Sequence, residues 1–131
     1  MSSIVLYGAS AIVLLHGLIH LMGVATYWQL AEINKLPYKT SLLKGSWEIG
    51  ESGIRLFGAL WLIAAIGFGI AGYALVTEQN WWRIGLGVVA AFSLALTILD
   101  WDVAYAGIGI NVVILILVLV STDTVQNIFA G

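Results

Sequence analysis

The chain has 131 residues, 61% of them hydrophobic and only 9% charged, with a formal net charge of −2. A globular domain in water carries roughly 25% charged residues, so a mean hydropathy of +1.02 excludes that class and makes lipid the solvent for most of the surface. Five Lys and Arg in all cannot neutralise a run of phosphates, which excludes a nucleic-acid partner. The lack of cysteine excludes disulfides, thiolate metal sites, iron–sulfur clusters and thiol catalysis.

Four apolar stretches, at about 4–27, 54–76, 82–100 and 103–121, each come near the ~20 residues that a bilayer core demands. Only Met-Ser-Ser precedes the first, without Lys or Arg, so a cleaved leader is not expected. Backbone groups in hydrocarbon must bond within their own segment, and four strands could not close a barrel. The fold class expected is therefore an all-α, antiparallel four-helix transmembrane bundle in a single domain, 1–131. Tyr27-Trp28, Trp81-Trp82 and Trp101 mark span ends at headgroup level. The linker from Gln29 to Gly50 holds Lys35, Lys39, Lys44 and the only proline, Pro37, whereas the other side offers Arg83 beside Glu78. By the positive-inside rule the 29–50 linker faces the cytoplasm and both termini lie outside.

Up-down alternation gathers the unusual polar residues at the linker-side ends: His16 and His20 on span one; Glu48, Glu51 and Arg55 at span two; Ser93, Thr97 and Asp100 on span three; Asp102, Tyr105 and Asn111 on span four. Residues three, four and seven apart share a helical face. That phase draws stripes through Ala9, His16, His20, Gly23 and Tyr27, through Glu48, Glu51, Arg55, Gly58, Leu62, Gly69 and Tyr73, through Ser93, Thr97 and Asp100, and through Ala104, Gly107 and Asn111. Ionisable groups inside a membrane turn toward the bundle or a wet cavity, so all four faces are expected to converge. At ~1.5 Å per residue His20 lies about 12 Å deep and His16 about 18 Å, with Ser93 and Asn111 near the level of His20. The expected pocket is a funnel open to the cytoplasmic side, with His16, His20, Asn111, Ser93 and Thr97 at its floor and Glu48, Glu51, Arg55 and Asp100 at its mouth.

His16 and His20, at i and i+4, have the spacing of two metal ligands, but two more are required, with Asn111, Glu48, Glu51 and Asp100 as candidates. A haem would need another axial ligand or only one, because both rings lie on one helix face. A proton relay or the head of a quinone-like ligand asks less, since neutral imidazole offers a donor and an acceptor. The plain alternative is interhelical hydrogen bonding from the imidazoles to Asn111, Ser93 or Thr97. Glu51 and Arg55 read as an i,i+4 pair at a helix start, Asp102 as a cap of span four, and Gly87, Ala91 and Ala95 as a small-residue packing stripe.

Taken together, His16-Gly17-Leu18-Ile19-His20-Leu21-Met22-Gly23, Pro37-Tyr38-Lys39-Thr40, Gly53-Ile54-Arg55-Leu56-Phe57-Gly58-Ala59-Leu60-Trp61, Trp81-Trp82-Arg83 and Leu99-Asp100-Trp101 resemble a family of small four-span bacterial and archaeal membrane proteins, often labelled permeases in genomes. The resemblance implies the four-span fold and no established activity or assigned residues. The residues themselves point to a small membrane protein that binds a metal, quinone-like ligand or proton as a redox or accessory component. A structural subunit of a larger complex, a homo-oligomeric packing module and a small proton-coupled transporter stand as alternatives.

Overall fold

The Ser2 side chain accepts the Val5 amide at 3.2 Å and starts α1 (Ser3–Tyr27), satisfying one of the donors that a helix start leaves open. In this computed structural model, which describes residues 2–120, three more helices follow: α2 (Gly50–Val76), α3 (Trp82–Leu99) and α4 (Trp101–Val120). All four are long and apolar enough to cross a membrane. The chain is an all-α four-helix bundle, and its apolar exterior makes it a multi-pass membrane protein in contact with lipid.

Three of the helices both start and end within two residues of the predicted bounds, apart from residue 121, which lies outside the described residues. α2 begins four residues early, because Gly50-Glu51-Ser52-Gly53 is helical despite its polar character. The turn between α3 and α4 shrinks to Asp100 alone. Asp102 therefore lies inside the first turn of α4 rather than capping it, and Ala104, just after, breaks helical geometry with φ −111° and ψ 21°.

Consecutive helices pack on one another, α1 on α2, α2 on α3 and α3 on α4. Their buried residues form two apolar clusters. One, toward the termini, contains Leu6, Val13, Phe68, Leu75, Leu86, Val89 and Ile114; the other, toward the linker, contains Val24, Tyr27, Ile54, Phe57, Trp61 and Leu96. The linker adds a short antiparallel hairpin, β1 (Ser41–Leu42) with β2 (Trp47–Glu48), and delivers Leu42 into the second cluster. Gly45 turns the hairpin with φ +87°, a conformation that favours glycine.

α2 is rotated from the expected phase. Its buried face runs through Ile54, Phe57, Trp61, Ala64, Phe68, Ala71 and Leu75, while Glu51 and Arg55 stay exposed. Charges at the membrane surface keep their hydration and large aromatics fill the interior, since burying an unpaired charge costs far more than burying a ring gains. Gly17, Gly67 and Gly72 mark close helix approaches: a Cβ at Gly17 would lie 2.8 Å from Phe68 Cβ, one at Gly67 2.6 Å from Val89, and one at Gly72 2.6 Å from Leu14. Ala91 and Ala95 are exposed, so that part of the small-residue stripe does not pack within the subunit.

Gly17→Ala is expected to wedge α1 from α2 and lower stability by about 1–3 kcal/mol, as overpacking does. Gly69→Ala, where a Cβ meets nothing within 4 Å, should leave it unchanged or raise it. Thermal unfolding of both variants in detergent checks the contrast.

Candidate functional site

Two polar groups are buried at the linker-side half of the bundle. The deeper one joins α1, α3 and α4. His16 Nε2 lies 3.0 Å from Asn111 Oδ1, Asn111 Nδ2 donates to Ser93 Oγ at 2.8 Å, Ser93 Oγ lies 2.6 Å from His20 Nε2, and His20 Nδ1 lies 2.7 Å from the His16 carbonyl. A carbonyl can only accept, so neutral His20 carries its proton on Nδ1 and Nε2 accepts from the Ser93 hydroxyl. The amide NH₂ then goes to Ser93, Asn111 Oδ1 faces His16, and His16 carries its proton on Nε2. With those assignments every contact in the ring joins one donor to one acceptor.

His16 Nδ1 is left over. It is buried without a hydrogen-bond partner, and an unpaired acceptor in such surroundings keeps its desolvation cost. The imidazoles meet edge to face, with centroids 4.7 Å apart, and α2 walls them in: Phe68 lies 4.8 Å from His16 and 5.1 Å from His20, and Trp61 lies 5.0 Å from His20. Thr97, one turn along α3, is 1% exposed and bonds back to the Leu94 carbonyl at 3.0 Å.

The second group draws together residues far apart in the chain, Tyr27, Lys39, Asp100 and Asp102. Asp100, expected at the rim, has no exposed surface. Tyr27 donates to its Oδ2, and Lys39 reaches Oδ1 at 2.6 Å and Asp102 Oδ1 at 3.2 Å. A buried carboxylate requires such compensation. Burial works against the Lys39 charge, but hydrogen bonds and attraction from Asp100 and then Asp102 outweigh it and hold the ammonium above its ordinary 10.5. Nothing local pairs Lys39 with a turn 61 residues away; the only sequence signal for Asp100 was its place on the face of Ser93 and Thr97.

Thus His16, His20, Ser93 and Asn111 come together, with Thr97 between them and Asp100. Glu48, Glu51 and Arg55 do not join them, since all three are exposed and α2 supplies aromatics instead. Glu48 caps the Gly50 amide at 3.0 Å, the Glu51–Arg55 ion pair is not formed among the described residues, and Tyr105 is 71% exposed. The open funnel is therefore replaced by a closed polar core. Cavities of about 660, 250, 410 and 490 Å³ lie along the linker or on apolar outer surfaces, and neither histidine lines them.

The donor set does not fit a metal ion. Three of the four ring nitrogens are committed to protein groups, and among the described residues no cluster of three His, Asp or Glu could hold one. A haem or quinone head would have to displace Phe68 or Trp61, which pack directly on the imidazoles. No known protein family, curated protein or solved structure matches the chain.

Because the Lys39 ammonium is stabilised in the fold, its contribution to stability is complete below about pH 10.5 and is lost as pH rises through its raised folded value. Lys39→Ala should cost about 3–5 kcal/mol at neutral pH by stranding Asp100. Lys39→Ala/Asp100→Asn should recover much of it. Denaturant unfolding from pH 7 to pH 11 checks both the order and the alkaline loss.

Proposed function

We propose that this small multi-pass membrane protein is a proton-handling accessory component, with His16 Nδ1 as the position that takes the proton. The single observation that carries the reading is the one unused lone pair in an otherwise closed ring. A proton added at Nδ1 breaks none of the four hydrogen bonds and turns His16 into a double donor. One added at His20 Nε2 would oblige the Ser93 hydroxyl to turn away. The polar face of α3 supplies the approach, since Ser93, Thr97 and Asp100 span about 10 Å of helix from the midplane group to the surface group. Intramembrane ionisable residues commonly serve proton transfer.

In this reading the linker faces the cytoplasm, as Lys35, Lys39 and Lys44 outnumber Arg83, and the protein works as a homo-oligomer or beside a larger membrane complex. The family resemblance carried by His16 to Gly23 would place the two histidines of this network in other small four-span proteins. A second reading, a purely structural tie, is favoured by the closure of the ring, which fastens α1 to α3 and α4.

Nitrogen-15 NMR of histidine-labelled protein in bilayers separates the two. At alkaline pH the spectrum is expected to show His16 protonated on Nε2 and His20 on Nδ1. On acidification with the bundle intact, His16 should become imidazolium first, and His16→Ala should reduce proton flux through liposomes driven by a pH gradient. Two imidazoles that stay neutral until the bundle unfolds, with flux unchanged in His16→Ala, would leave only the structural reading.

A further inference from the structure

The segment after α1 does not extend into water but folds back across the linker-side end of the bundle. Thr26 Oγ1 donates to the Leu36 carbonyl at 3.2 Å. Three residues on, Lys39 reaches Asp100 and Asp102. Leu42, 3% exposed, packs into the cluster of Tyr27, Ile54, Phe57 and Leu96. The Leu43 amide donates to the Leu99 carbonyl at 2.8 Å, filling an acceptor that the end of α3 leaves open, and the Lys44 ammonium lies 5.5 Å from the centre of the Trp101 ring. The strap covers Asp100, and Thr97 and Ser93 continue its buried face deeper along α3; all three are at most 1% exposed.

The strap is held in place against its own backbone preference. Leu43 and Lys44 have φ of +54° and +55°, in the left-handed region that residues with a Cβ seldom occupy. Such a conformation persists where surrounding contacts over-determine it. Lys39 is the one contact that is ionic and largely buried, with its side chain 18% exposed against 0% for Asp100. Without its ammonium the carboxylate beneath would be stranded, and water would be its nearest compensation.

We propose that residues 36–44 form a latch, held shut by Lys39, that seals the buried polar face of α3 from water at the linker side and opens when the Lys39–Asp100 contact is released. The latch is a gate to this face whatever the midplane ring carries, so its test does not depend on proton transfer.

The natural chain has no cysteine, so one introduced thiol reports water access without background. Thr97→Cys suits the purpose, because Thr97 lies between Ser93 and Asp100 and its hydroxyl only bonds back to its own helix. The probe is a water-soluble maleimide applied to the full chain in proteoliposomes open to both sides. With Lys39 present labelling should be slow. In Lys39→Gln it should quicken on the order of tenfold or more, as a sub-global opening becomes populated. Lys39→Gln/Asp100→Asn, which strands no carboxylate, should label more slowly than Lys39→Gln, because nothing beneath the strap then calls for water.

Ser10→Cys, buried in the other half at 3% exposure, should stay protected in every background. Exchange of the Leu43 amide, read by NMR, should accelerate together with labelling. Three results would overturn the latch: slow labelling that persists in Lys39→Gln, rapid labelling with Lys39 in place, or exposure of Ser10→Cys to the same degree as Thr97→Cys.

Discussion

Hydrocarbon offers no hydrogen-bond partner, so the imidazoles, amide and hydroxyl placed near the middle of this bundle depend on complements within the protein, and most of those lie on another helix. That demand sets the register of the molecule. His16 and His20 on α1 can be satisfied only where Ser93 and Asn111 arrive at the same depth. A helix shifted by one turn would lose several bonds at once. Individual interhelical bonds in membranes average only about 0.6 kcal/mol, because the unassembled helices find other partners; their value here lies in uniqueness of alignment more than in strength.

α2 has the opposite task. It contributes no polar side chain to the ring, yet its Phe68 and Trp61 close the space around both imidazoles and link the two apolar clusters above and below. The polar core is thus a thin layer between two greasy ones. Such a layer is dry enough to make each contact count, and the aromatic wall leaves the rings little room to reorient. At the surface the same logic acts on full charges: Asp100 is tolerated in the interior because Tyr27 and Lys39 meet its two oxygens.

Much of this was legible in sequence, for local reasons. Span length, aromatic belts and the 3.6-residue period located four helices and put His16, His20, Ser93 and Asn111 on inward faces, with His20, Ser93 and Asn111 at matching depth and His16 a turn deeper. The phase of α2 was misread because Glu48, Glu51 and Arg55 make the more conspicuous stripe. At a membrane surface charge follows water, and the quieter series from Ile54 to Leu75 marks the buried side. The strap and its ion pair were invisible, since joining Lys39 to Asp100 requires knowing how the ends of separate helices meet. The early start of α2 was masked by Gly50 and Gly53, which read as loop although the first turn of a helix at the interface accepts them.

The single-residue turn at Asp100 has a consequence for biogenesis. So short a connection cannot leave one of its two spans waiting in the translocon while the other partitions into lipid, so α3 and α4 must enter the bilayer as one helical hairpin. That hairpin already contains the Asn111 to Ser93 hydrogen bond at 2.8 Å. Its two most hydrophilic midplane groups therefore shield each other during insertion, and they present a ready-made docking point to the α1 imidazoles when the pairs of spans assemble.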